Sequence, residues 1–408
     1  MLYLFHKKPN QCSASFALLL PAFRMEDAQI LKTHDTKSGY VNFLVLPMAL
    51  LAFLFAIHAM GEAFSVLGEN TAVSIISITS NPFIGLFIGL LVTAILQSSS
   101  TTTSMVVAAV ASGSLELSSA IPIVMGANIG TTLTSTIVSL SYITKTNEFR
   151  KAITAGTSHD IFNILAVLII FPLEMKYQLL SGLSSSLGGL LKGPNNSKLN
   201  IFNGDLDLFS PLSMTLIEWV GPILSLLLSF ILLLLIVKFI STLLYNKLIG
   251  NAKKNFNQLI FKNRFKSFGW GFLLTSIVQS SSLTTSLIVP LVATGKVSSQ
   301  KAFQFILGAN LGTTITALLA ALFKSEAAIS LAIAHFLFNF IGVAIFLLIP
   351  TLQRLPTFIA EKLGLFMMRF RIIGFAYILV MFFALPFSLI YVSDGSPTAP
   401  HTGQAIKQ

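Results

Sequence analysis

Residues 97–132 recur at 279–314, at a constant offset of 182 and without a gap, and 18 of the 36 aligned positions are identical. Both copies open on Gln-Ser-Ser-Ser, at Gln97–Ser100 and Gln279–Ser282, and both close on Gly-Ala-Asn-x-Gly-Thr-Thr, at 126–132 and 308–314. After a six-residue shortening of the second copy the match resumes, with His159, Phe162 and Asn163 falling on His335, Phe338 and Asn339. One structural unit is therefore used twice, and the fold must accommodate two equivalent halves.

The stretches around the copies are too apolar for water. Phe43–Met60, Ile153–Pro172 and Leu216–Ile236 approach the roughly 20 residues that cross a hydrocarbon core. Only 10% of the chain is charged and the mean hydropathy is +0.81, whereas a soluble domain carries about 25% charged residues. The reading is an all-α polytopic membrane protein, since helices satisfy their own backbone in lipid. The net charge of +11 sits mainly in loops between apolar segments, which fits orientation in a bilayer and excludes nucleic acid as a partner. The lone Cys12 excludes an intrachain disulfide.

Charge sets the expected sidedness. The segment Asn246–Ser267 holds Lys247, Lys253, Lys254, Lys262, Arg264 and Lys266 with no acidic residue, so it is read as cytoplasmic. Counting back, the polar segment Glu174–Ser210 lies outside, with a sequon at Asn195-Asn196-Ser197, and Lys145, Arg150 and Lys151 fall inside. Spans near 118–140, 152–172 and 213–242 separate the copies. Three crossings is odd, so if each Gln-Ser-Ser-Ser lies in a re-entrant helical hairpin, the two repeats are inverted, an arrangement that gives transporters two exchangeable conformations around one central site. The expected organisation is a cytoplasmic tail at 1–39 (with Met25 an alternative start), a first transmembrane repeat at 40–173, an extracytoplasmic loop at 174–211, a second repeat at 212–351, an interfacial segment and last helix at 352–394, and a C-terminal tail at 395–408. The chain length fits a bacterial inner membrane; the oligomeric state, a homodimer among the options, stays open.

An apolar half-helix, Asn81–Leu96 or Phe268–Val278, precedes each hydroxyl run, Ser98–Ser104 and Ser280–Ser286. Unpaired polar groups in hydrocarbon cost several kcal/mol each, so such a run belongs where it is buried in protein or lines a wet cavity. The free N–H groups at the start of each returning half-helix form an anion site, assigned to Gln97, Ser98, Ser99, Ser100, Ser280, Ser281 and Ser282. The glycines of the closing motifs permit unwound backbone or close helix approach. Their carbonyls, with Asn128, Thr131, Asn310 and Thr313, are hard neutral oxygen donors suited to Na⁺ and too weakly charged for a divalent ion. Neither motif carries Lys or Arg, so a bound anion needs co-bound cations, which is a physical reason for coupling. No organic cofactor is implied.

Asp160 lies in an apolar span beside His159 and three residues before Asn163; its counterpart in the second copy is Phe336, so this charge belongs to one half only. It is a candidate for a further cation site or a proton relay. Plainer readings stand beside these: Ser/Thr runs that merely bond to backbone, glycine motifs that are packing seams, and His159 and His335 as interhelical hydrogen-bonders. Two other functions also stand: an intramembrane serine hydrolase with His159 or His335 as base, disfavoured because serines and histidine are duplicated together, and a hydroxyl-lined anion channel.

Gln97–Ser104, Gln279–Ser282, the Gly-Ala-Asn-Ile-Gly-Thr run at 126–131 and His159-Asp160-x-Phe-Asn163 resemble the type II sodium/phosphate cotransporters, over about residues 40–395. The resemblance implies inorganic phosphate held between the hairpin tips, with Ser100, Thr136 and Ser280 as contacts. It implies Na⁺ as the coupling ion, at one site made by Gln279, Ser280, Thr313 and Thr316 and at another involving Asp160 and Asn163. In that family an aspartate at the position of Asp160 goes with electrogenic transport. The chain departs from the animal members at Tyr142, where they have Gln, and lacks their cystine-bearing outer loop and extra C-terminal membrane segment.

Overall fold

The structure, a computed structural model, describes residues 38–79, 81–192, 209–249, 260–322 and 324–394. The N-terminal tail with Cys12, the sequon at 195–197, Lys253 and Lys254, and the C-terminal tail lie outside these, as does the side chain of Lys247. Among the described residues every element is helical, as expected from the hydropathy pattern. Among the described residues seven helices are long and apolar enough to cross a membrane: Pro47–Leu67, Leu117–Leu140, Thr146–Tyr177, Pro222–Ile240, Ser299–Ala321, Glu326–Leu348 and Ile372–Val392.

In chain order, α1 (Ser38–Thr79) leads to α2 (Pro82–Leu96) and α3 (Ser99–Ala111), then α4 (Leu117–Thr131), α5 (Leu133–Leu140) and α6 (Thr146–Tyr177). These are followed by α7 (Leu179–Lys192), α8 (Ser210–Val220) and α9 (Pro222–Ile249). The second copy comprises α10 (Arg264–Val278), α11 (Ser281–Ser286), α12 (Ile288–Ala293), α13 (Ser299–Ala321) and α14 (Glu326–Leu348). After the short α15 (Pro350–Gln353) come α16 (Leu355–Arg369), α17 (Ile372–Leu379), a π-helical turn at Val380–Ala384, and α18 (Leu385–Asp394).

The repeat reaches further back than the sequence match used to find it. Asn81 and Asn263, 182 residues apart, both cap a half-helix, accepting from Phe83 N at 3.0 Å and from Lys266 N at 2.8 Å. Each half-helix then packs against the closing-motif helix of its own copy at the same glycines. A Cβ on Gly126 would overlap the Leu86 carbonyl, and one on Gly308 would overlap the Phe268 carbonyl; Gly89 and Gly271 likewise abut the carbonyls of Ile123 and Phe305. Every one of these pairs is separated by 182, so the α2–α4 and α10–α13 seams are the same joint built twice.

That joint corrects the expectation of unwound backbone at the closing motifs. Gly308–Thr314 runs unbroken inside α13, and Gly126–Thr131 completes α4. The glycines serve backbone-to-backbone contact instead, which stabilises helix pairs where lipid offers no hydrophobic drive between them. The one interruption is at Thr132, whose N–H turns to Ile129 and leaves the Asn128 carbonyl without its helical donor.

Two further departures follow from local chemistry. The polar segment beginning at Glu174 is helical to Lys192: α6 continues to Tyr177, and the buried Glu174 carboxylate caps α7 by accepting from Leu180 N at 2.6 Å and from Ser181. The apolar run Leu216–Ile236 is not one helix, because Gly221, at φ +82°, ends α8 immediately before Pro222 starts α9.

Candidate functional site

Each Gln-Ser-Ser-Ser is a helix break with the same geometry. Gln97 and Gln279 end α2 and α10 in the left-handed region, at φ 53° and 55°, each donating its N–H to the threonine carbonyl four residues back at 2.7 Å. A side chain in that conformation costs about 1–2 kcal/mol, which glycine would avoid. Ser98 and Ser280 then cap the returning helices, accepting from Thr101 N at 3.2 Å and Leu283 N at 3.3 Å. Matched backbone strain at two matched glutamines is an observation that points to function, since strain persists where surroundings enforce it.

The two tips meet and exchange bonds. Ser100 Oγ donates to the Gln279 carbonyl at 3.0 Å, and Ser282 Oγ donates to the Gln97 carbonyl at 3.4 Å. Ser100 and Ser282 are 182 apart, as are the glutamines, so the contact is reciprocal. Thr316 joins this group, its hydroxyl 3.5 Å from Ser100 Oγ. Ser99, Ser100, Ser281 and Ser282 are all buried, and Gln279 is 9% exposed. Thr103, Ser104 and Thr275 carry buried hydroxyls with no partner among the described residues. The arrangement gathers hydroxyls, carbonyls and helix N-termini around one point, and among the described residues no basic side chain bonds to it.

A second exchange lies in the helices behind the tips. His159 Nε2 stands 2.6 Å from Asn310 Oδ1, and His335 Nε2 stands 3.4 Å from Asn128 Oδ1. Asn310 donates to Asn163 Oδ1 at 2.7 Å, Asn339 donates to Asn128 Oδ1 at 3.3 Å, and Asn163 takes the Asn128 carbonyl freed at Thr132, at 3.1 Å. Each copy's histidine thus bonds the other copy's motif asparagine. The side-chain oxygens of Asn128 and Asn310 are occupied by this network, and the hydroxyls of Thr131 and Thr313 bond carbonyls of their own helices. The geometry therefore makes Asn128, Asn163 and Asn310 a clasp between the copies.

The clasp gives a test of its own. His159→Leu should cost about 1–3 kcal/mol by stranding the Asn310 amide, and His335→Leu less, because its bond is longer; thermal unfolding of the two variants in detergent should show that order.

Asp160 is fully buried, with no Lys, Arg or His nitrogen within 4.0 Å among the described residues. Its Oδ2 accepts from Thr136 Oγ1 at 2.8 Å and from the Tyr377 hydroxyl at 3.1 Å, while Oδ1 has no partner among the described residues. Thr136, read from the resemblance as a phosphate contact, is here bonded to the carboxylate, and Asn163 is bonded within the clasp. Tyr377, on α17, was not among the residues singled out in the sequence; its signal is a phenol hydroxyl in an apolar span, which needs a partner.

A profile of the Na⁺/Pi-cotransporter family matches residues 52–191 and 232–385. Sodium-dependent phosphate transport protein 2A of mouse is 33% identical over 86% of this chain and 68% of its own length, and that of rabbit 34% over 86% and 67%. Sodium-dependent phosphate transport protein 2B of human is 29% identical over 87% and 66%. The chain spans about two thirds of the length of these relatives. No solved structure matches it.

Proposed function

We propose, from the premise that this chain belongs to the Na⁺/Pi-cotransporter family, that it is a multi-pass membrane carrier which couples phosphate entry to sodium by alternating access. The observation that carries the reading is the reciprocal bond between the tips: Ser100 to the Gln279 carbonyl and Ser282 to the Gln97 carbonyl. A hydrolase needs one nucleophile and one base in unequal roles. Here two equivalent serines face two equivalent carbonyls, and both histidines are bonded to asparagines rather than to a serine.

In this reading α2–α3 and α10–α12 are re-entrant hairpins. Three candidate spans, at 117–140, 146–177 and 222–240, fall between them, and that odd number supports inversion of the repeats. Phosphate is held between the tips by Ser98–Ser100 and Ser280–Ser282, with the N-termini of α3 and α11 supplying positive dipole ends in place of basic side chains. Gln97 completes that set. One sodium site is assigned to Gln279, Ser280, Thr313 and Thr316 and a second to Asp160, whose unpartnered Oδ1 is a hard anionic oxygen at full burial. An aspartate at the position of Asp160 goes with electrogenic transport in the type II cotransporters that the chain resembles, and on that ground the cycle is assigned as electrogenic.

Sidedness follows the basic residues. Arg264 donates to Gln353 Oε1 and Arg371 to Thr146 Oγ1, each at 3.1 Å. A groove of about 550 Å³ brings Arg150 and Lys151 beside Gly295 and Ser299. By the bias of basic residues to the inner face, Arg150 and Lys151 of one basic segment and Arg264 of the other are assigned to the cytoplasm of a bacterial cell, and the N-terminus is assigned to the same side.

The test is uptake of radiolabelled phosphate by proteoliposomes under an inward sodium gradient against an equal potassium gradient. Sodium-dependent, saturable accumulation is expected. Current without a sodium requirement would identify a channel, and folded protein that accumulates no phosphate under any cation gradient would overturn the substrate.

A further inference from the structure

We infer that Tyr377 is a positioning residue for the Asp160 cation site, so that the last membrane helix takes part in sodium binding; the inference rests on the assignment of Asp160 proposed above. The carboxylate is held on one side only. Oδ2 receives two hydroxyl donors, Thr136 from α5 and Tyr377 from α17, while Oδ1 is buried and has no partner among the described residues. Two donors on one oxygen fix the plane of the carboxylate and leave the other oxygen as the one free acceptor, the arrangement a cation ligand needs to be ready before the ion arrives.

The phenol is itself held in place. The chain widens into the π-helical turn Val380–Ala384 within one turn of Tyr377, and that turn carries the buried Phe382 edge-on to the Tyr377 ring, centroids 6.5 Å apart. Single π turns inside helices recur at functional sites because they redirect side chains without ending the helix. Gly374, one helical turn before Tyr377, brings α17 against Leu140 of α5, so the two donors to Oδ2 come from helices in contact. The asymmetry of the molecule fits the same conclusion: Phe336 stands where the second copy would need its aspartate, and α17 lies outside the repeat, so the charge and the hydroxyl that meets it both stand outside the duplicated pattern.

The experiment compares wild type, Tyr377→Phe, Asp160→Gly and the double variant, each full-length, by half-saturating sodium for phosphate uptake and by sodium-induced thermal stabilisation in detergent without phosphate. Tyr377→Phe keeps the ring and its packing and removes only the hydroxyl. Half-saturating sodium should rise about tenfold in both measurements, the scale of one hydrogen bond to a charged group, while the phosphate KM at saturating sodium moves less than twofold. In the Asp160→Gly background the same change should have no further effect on sodium. An unchanged sodium requirement in Tyr377→Phe, or an equal loss with and without Asp160, overturns the inference while the transport reading stands. If wild type itself shows no sodium dependence, the assignment of Asp160 fails and the inference with it.

Discussion

Asp160→Gly protein reconstituted beside the wild type is expected to retain sodium-dependent phosphate uptake and to lose most of its acceleration by an inside-negative potential. The carboxylate is buried without a cationic neighbour among the described residues, so it is the charge in this half that a sodium ion can neutralise. Each elementary charge moved across 100 mV is worth about 2.3 kcal/mol, a bias of roughly fifty-fold in equilibrium and less in rate. The wild type should therefore speed up several-fold at 100 mV, inside negative, and the glycine variant hardly at all. Equal acceleration of both proteins would show that the transported charge does not depend on Asp160 and would return the residue to a structural role.

The second large effect concerns folding. Gly308→Val should leave almost no folded protein, and Gly126→Val likewise, because the first added carbon lands on the carbonyl of Phe268 or Leu86. Backbone cannot rotate away as a side chain can, so the helix pair must separate along its length, and a cost above about 4 kcal/mol is expected. Gly342→Ala is the control: its Cβ would sit 3.4 Å from Ala166 Cβ and 3.6 Å from the Phe162 ring, ordinary contacts. Size-exclusion profiles of detergent extracts separate the cases, with a monodisperse peak for Gly342→Ala and aggregate or nothing for the valine variants. A sound peak from Gly308→Val would mean the α10–α13 joint is looser than its geometry.

The helices and the duplication were legible in the residues because each leaves a linear mark: apolar length and a constant offset. What was not legible is long-range pairing. Nothing local says that Ser100 meets the carbonyl of Gln279, or that the oxygens of Asn128 and Asn310 meet histidines 207 and 151 residues away. Glycine is ambiguous for a different reason. It permits both unwinding and close approach, and only the opposing backbone at Phe268 and Leu86 decides between them. The α7 segment was hidden by composition, its serines and glycines outweighing leucines at 180, 183, 187 and 190 that recur at helical spacing.

The exchanged histidine–asparagine bonds bear on ancestry. A single copy on its own would carry the imidazole of His159 or His335 into hydrocarbon without the asparagine oxygen that it meets in the folded chain, at a cost in stability. Two identical copies facing one another would meet both needs at once, since what each lacks is what the other offers. The interface therefore has the self-complementarity of a two-fold dimer made from one shorter gene, with the lone carboxylate of Asp160 standing outside that symmetry.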